Sequence, residues 1–126
     1  MATILVADDE RAIRVLLDMI LTDEGHRVLF AADGRQALDR CERERPDLVI
    51  ADVMMPVLDG ATLCRLLKAG AATAAIPVIL MSAAAEAAAR AAGADAFLRK
   101  PFDVTEVEAL VRHFLAAQSN GEAAGN

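Results

Sequence analysis

A chain of 126 residues carrying a net charge of −6 is long enough for one domain with a buried core and too short for two. Its apolar content of 56% includes no Trp or Tyr, so that core must be mainly aliphatic. The acidic balance argues against a phosphate-binding face for nucleic acid, and no apolar run approaches the length of a membrane span.

The start, Met1-Ala2-Thr3, lacks a basic leader region, and a cytoplasmic protein is expected. Cys41 and Cys64 lie far apart without metal-ligand spacing, so both are read as free, buried or half-buried thiols. His26 and His113 have no clustered partners and are assigned to surface or packing roles.

Ile4-Leu5-Val6-Ala7 is a short apolar run that ends in Asp8-Asp9-Glu10. Ile13, Leu16, Leu17, Ile20 and Leu21 then form the stripe of an amphipathic helix, closed by Gly25. Val28 to Ala31 is strand-like. Asp33 and Gln36 are spaced as a capping box for a helix through Ala37, Leu38 and Cys41, which Pro46 stops. Leu48-Val49-Ile50-Ala51 runs straight into Asp52, and a Met54-Met55-Pro56 turn follows. Such a run, bounded by turn signals, reads as a strand buried on both faces.

Asp59-Gly60 is assigned to turn and capping duty for a helix carrying Leu63, Leu66 and Leu67, with Gly70 at its end. Ile76 to Met81 predicts a fourth strand finishing at Ser82. Ala83 to Ala92 is nearly pure alanine, with Glu86 and Arg90 spaced as a helix-surface pair. It favours helix but has little to bury, so marginal stability is expected. Gly93 ends it, and Ala96-Phe97-Leu98 leads to Arg99-Lys100-Pro101. Asp103 and Glu106 cap a last helix whose apolar face is Val107, Leu110, Val111, Phe114 and Leu115. The domain is expected to span residues 1–117, with 118–126 a disordered tail.

Strands alternating with helices predict an α/β fold, a parallel sheet covered on both faces. The polar groups then fall in one place. Asp8, Asp52, Ser82 and Lys100 each come at or just after the carboxyl end of a different strand, the edge where open α/β sheets bind ligands. Asp8, Asp9 and Asp52 crowded together call for a hard dication such as Mg²⁺. With Lys100 and Ser82 beside them, they make a set suited to phosphoryl transfer.

At these positions the chain resembles the receiver domain of bacterial two-component response regulators. The resemblance rests on Asp8-Asp9, Asp52, Met55-Pro56, Asp59-Gly60, Ser82-Ala83 and Lys100-Pro101-Phe102, in that order. It implies a flavodoxin-like doubly wound (βα)5 fold with strand order 2-1-3-4-5. It further implies that Asp52 is the phosphoacceptor, charged by a phosphohistidine of a histidine kinase or histidine phosphotransfer protein. Asp8, Asp9, Asp52 and the main-chain carbonyl of Met54 would hold Mg²⁺ (or Mn²⁺). Lys100 would pair with phosphoryl oxygens and Ser82 would donate its hydroxyl to them. Phe97 matches an aromatic switch position, and the bond before Pro101 is expected to be cis.

Two departures stand out. The interval from Ser82 to Lys100 is about one helical turn shorter than in typical receivers, which predicts a short or partly unwound fourth helix. Met54 and Ala84, two residues beyond Asp52 and Ser82, offer no polar side chain to orient water, which predicts a long-lived aspartyl phosphate and slow autodephosphorylation. The favoured reading is a stand-alone signalling module, itself not an enzyme, that binds a downstream protein target. Its rivals are a receiver-fold interaction module indifferent to phosphate and a small aspartate-nucleophile phosphohydrolase. Met54 stands where the latter usually has a second Asp.

Overall fold

The computed structural model describes residues 1–125, with side-chain surroundings for residues 1–117. Five strands alternate with five helices: β1 (Thr3–Ala7), α1 (Arg11–Asp23), β2 (Arg27–Ala31), α2 (Gly34–Glu44), β3 (Leu48–Asp52), α3 (Gly60–Ala69), β4 (Val78–Ser82), α4 (Glu86–Ala91), β5 (Ala96–Arg99) and α5 (Val104–Gly125). All neighbouring strands are parallel, in the order β2-β1-β3-β4-β5. This is the doubly wound, flavodoxin-like fold expected from the sequence.

The strands read as unbroken apolar runs because both of their faces are buried. In β3, Val49 and Ala51 join the aliphatic layer under α2, α3 and α4, while Leu48 and Ile50 join the layer under α1 and α5. β1 splits the same way, with Leu5 and Ala7 on one side and Ile4 and Val6 on the other. Each layer is closed by helix stripes at helical spacing, such as Leu17, Ile20 and Leu21 of α1 or Leu63, Cys64 and Leu67 of α3. Truncating one of these fully buried leucines to Ala costs about 2–5 kcal/mol in such packing.

The helix ends follow the capping signals. Asp33 and Asp59 accept backbone N–H bonds from Gln36 and Thr62. Asp103 and Glu106 cap each other's N–H groups reciprocally. Gly25 and Gly93 take the left-handed backbone that stops α1 and α4, at φ 87° and 85°. The fourth helix is short, six residues, as the shortened interval predicts.

Two boundaries differ from expectation. β4 begins at Val78 rather than Ile76, because Pro77 has no N–H to give to a ladder. The backbone of α5 stays helical to Gly125, through most of the stretch 118–126 expected to be a disordered tail, and Asn126 lies outside the described residues. Ala116, Ala117, Glu122, Ala123 and Ala124 are good helix formers, and they outweigh Ser119, Asn120 and Gly121 there. Among the described residues no helix is long and apolar enough to cross a membrane.

Candidate functional site

The register of the sheet assembles the site. Ala7 pairs with Ala51 across β1 and β3, so Asp8 and Asp52 leave adjacent strands side by side. Asp52 pairs with Met81 in β4, and Ser82 pairs with Arg99 in β5. The Lys100 N–H donates to the Ser82 carbonyl at 3.0 Å, extending the ladder to the lysine. Four neighbouring strands thus deliver two carboxylates, a hydroxyl and an ammonium to one rim.

Asp8 is fully buried and Asp52 nearly so, whereas Asp9 is exposed. One carboxylate oxygen from each lies within 4.8 Å of the others. Lys100 Nζ donates to Asp8 Oδ2 at 2.8 Å and reaches Asp52 Oδ1 at 3.1 Å, with Glu10 Oε1 further off at 3.7 Å. One ammonium cannot balance three close carboxylates. Burial pushes the Asp52 carboxyl above its ordinary value; Lys100 pulls it back, and the charges of Asp8 and Asp9 add to the rise. Burial alone would lower the Lys100 ammonium, but its bonds to Asp8 and Asp52 win and raise it. The surplus of negative charge is the condition that a bound dication relieves, and an all-oxygen donor set beside an open rim suits Mg²⁺.

The remaining expected residues lie on β4 and β5 or in the loops after β3 and β5. The Ser82 hydroxyl accepts from the Ala84 and Ala85 N–H groups at 3.3 Å each. The Lys100–Pro101 bond is cis. Phe97 is half-buried against the layer under α2 to α4. Met54 follows Asp52 in the loop, with its side chain turned out to solvent at 70% exposure.

Three contributors escape a reading of the sequence alone. Gly60, assigned there only to turn and capping, also lets α3 close on the end of β3: a Cβ on it would meet the Asp52 carbonyl oxygen at 2.2 Å. The Asp59-Gly60 pair after the strand signals the turn, and the close approach goes beyond that local role. Gly34, the first residue of α2, is pressed as closely against the Leu58 carbonyl, at 1.8 Å from its would-be Cβ, and props the loop that carries Asp59. Arg14 donates from Nη1 to the Asp8 carbonyl at 2.6 Å and fixes the turn between the two acids. No spacing rule flags it.

The fold and the rim together define a doubly wound α/β domain with an acid–lysine pocket at the carboxyl ends of its strands. The response regulator receiver domain family matches residues 4–112, and the chain belongs to that family. The response regulator MprA of Mycolicibacterium vanbaalenii is 40% identical over 126 residues, covering 97% of this chain and 54% of the relative. The chain therefore spans about half the length of the curated relatives it matches. Among solved structures, the chemotaxis response regulator CheY4 of Vibrio cholerae superposes with a TM-score of 0.85 at 30% identity, covering 90% of this chain and 98% of that one. The receiver domain of the sensor histidine kinase PA1611 of Pseudomonas aeruginosa, described with a magnesium ion in its active-site cleft, does so with 0.85 at 30%, covering 91% and 98%.

Proposed function

We propose that this receiver domain takes a phosphoryl group on Asp52 from a phosphohistidine of a histidine kinase or histidine phosphotransfer protein, and signals through contact with a downstream protein. The observation that carries this reading is the Lys100 ammonium bridging Asp8 and Asp52 inside a pocket of three carboxylates.

Asp8, Asp9 and Asp52, with the main-chain carbonyl of Met54, are the residues that would hold Mg²⁺ or Mn²⁺. The acidic trio within 4.8 Å and the magnesium described for the Pseudomonas neighbour both support this. When bound, the ion neutralises charge on the phosphoryl oxygens. The Asp52 carboxylate oxygen attacks phosphorus, the P–N bond to the imidazole breaks, and its electron pair leaves on the histidine nitrogen. Lys100, already against Asp52, pairs with a phosphoryl oxygen as charge builds there. Ser82 turns its hydroxyl proton to another, and Phe97 moves inward behind it.

The test is incubation with acetyl phosphate and Mg²⁺ followed by intact-mass measurement. One added phosphoryl group is expected on the native chain and none on Asp52→Asn. A native chain left unmodified would instead favour an interaction module indifferent to phosphate. Loss of the group by hydrolysis is expected to be slow, because the exposed side chains of Met54 and Ala84 present no polar atom to a water. Met54→Asn should shorten the lifetime of the phosphorylated form severalfold, followed by mass spectrometry after removal of the donor.

A further inference from the structure

Arg99 is exposed at the end of β5, yet its guanidinium does not point away from the protein. It folds back over the turn after Ser82, its register partner in β4. Nη1 donates to the Ala83 carbonyl at 3.0 Å, and Nη2 lies 3.4 Å from Glu86 Oε1. The same group sits 6.0 Å from the centre of the Phe97 ring. Glu86 is held from its other side by Arg90 at 2.6 Å.

One side chain therefore joins the residue after Ser82, the first residue of α4 and the ring of Phe97. Apart from the Ser82 hydroxyl and the packing of Ala85 and Ala89 on the core, the side chains here offer few other holds. α4 buries only Ala89, and its N-cap residue, Ala85, offers no side-chain bond. A six-residue alanine helix has no stability of its own.

The Ser82 hydroxyl faces the same turn, through the N–H groups of Ala84 and Ala85. Drawn toward a phosphoryl group on the neighbouring strand, it would pull the 82–83 peptide along and part the Ala83 carbonyl from the guanidinium.

We propose that Arg99 is a positioning residue that clasps the segment 83–86 and Phe97 in the unphosphorylated arrangement, and so limits how tightly the site holds a phosphoryl group. The inference rests on Asp52 being the phosphoacceptor. A contact made in only one of two arrangements weakens any ligand that prefers the other, by the factor it contributes to that equilibrium.

The experiment is an amide NMR titration of the full chain with beryllofluoride and Mg²⁺, with Ala83 and Glu86 as reporters. Arg99→Met should bind about fivefold more tightly than the native chain, the scale of an exposed charge-assisted pair. Its free spectrum should already be displaced toward the beryllofluoride-bound positions. Arg99→Lys keeps one donor for the carbonyl and should fall between the two. Glu86→Gln should shift the affinity in the same direction by less. A native chain that responds while Arg99→Met binds equally or more weakly overturns the clasp alone. A native chain that does not respond overturns the phosphoacceptor assignment and the clasp with it.

Discussion

The two edges of the sheet each carry a lysine–aspartate pair, and the pairs are built differently. At the edge where β4 and β5 begin, Lys68 Nζ donates to Asp95 Oδ2 at 2.7 Å and to the Ile76 carbonyl at 3.0 Å. The same Asp95 oxygen accepts the Val78 N–H at 2.7 Å, and the Asp95 N–H returns a bond to the Val78 carbonyl. Charge is matched one to one and shared with backbone groups that would otherwise go unpaired. At the opposite edge Lys100 faces Asp8 and Asp52 together, with Asp9 alongside, and the charge does not balance. The first pair staples α3 to two strands; the second leaves carboxylates in excess of their counter-charge. Both look alike as ion pairs, so the count of neighbouring charges and backbone partners is what separates a fastener from a candidate functional site.

Substitutions can break that contrast. The largest effect is expected for Lys100→Met, which leaves Asp8 and Asp52 buried without a counter-charge. It should lower unfolding free energy at pH 7 by about 3 kcal/mol in the absence of Mg²⁺, measured by urea denaturation, and should abolish the acetyl phosphate reaction. Asp95→Ala removes the acceptor for Val78 and Lys68 and should cost about 1.5 kcal/mol. Its phosphorylation should match the native chain. An Asp95→Ala variant that folds but fails to take up phosphate would mean the two edges are not functionally distinct.

The smallest effect has the opposite sign. Because the Asp52 carboxyl is raised in the folded state, ionising it works against folding. The penalty is absent well below the ordinary carboxyl value of 3.8 and grows as pH rises through and above it. Asp52→Asn should therefore be more stable than the native chain by about 1 kcal/mol at pH 7 without Mg²⁺. Thermal melts from pH 3 to 7 should show the advantage vanishing on the acid side. A variant less stable at pH 7 would show that the Asp52–Lys100 contact contributes net stability.

The same contrast marks what could be read from the sequence. Asp8, Asp52, Ser82 and Lys100 are legible because each comes at or just after the end of an apolar run where a strand leaves the core, and alternation of strand and helix puts those ends on one side. Capping residues were legible because their partners lie three positions away. Lys68–Asp95, Arg14 on the Asp8 carbonyl, and Arg99 on Ala83 were not, since each joins distant segments without a periodic signature. Gly60 announced itself as a turn. Its approach to the Asp52 carbonyl depends on how α3 is laid against β3, which no local pattern encodes. The extent of α5 is hard to read, because its apolar stripe ends at Leu115 and Ser119, Asn120 and Gly121 interrupt the alanines around them.

The double-sided burial of the strands has a corollary for assembly. Slipping any central strand by one residue would exchange its two aliphatic layers and withdraw its polar end from the rim. A loosely collapsed chain consequently owns no acid–lysine pocket at all, and gaining the pocket is inseparable from locking the register.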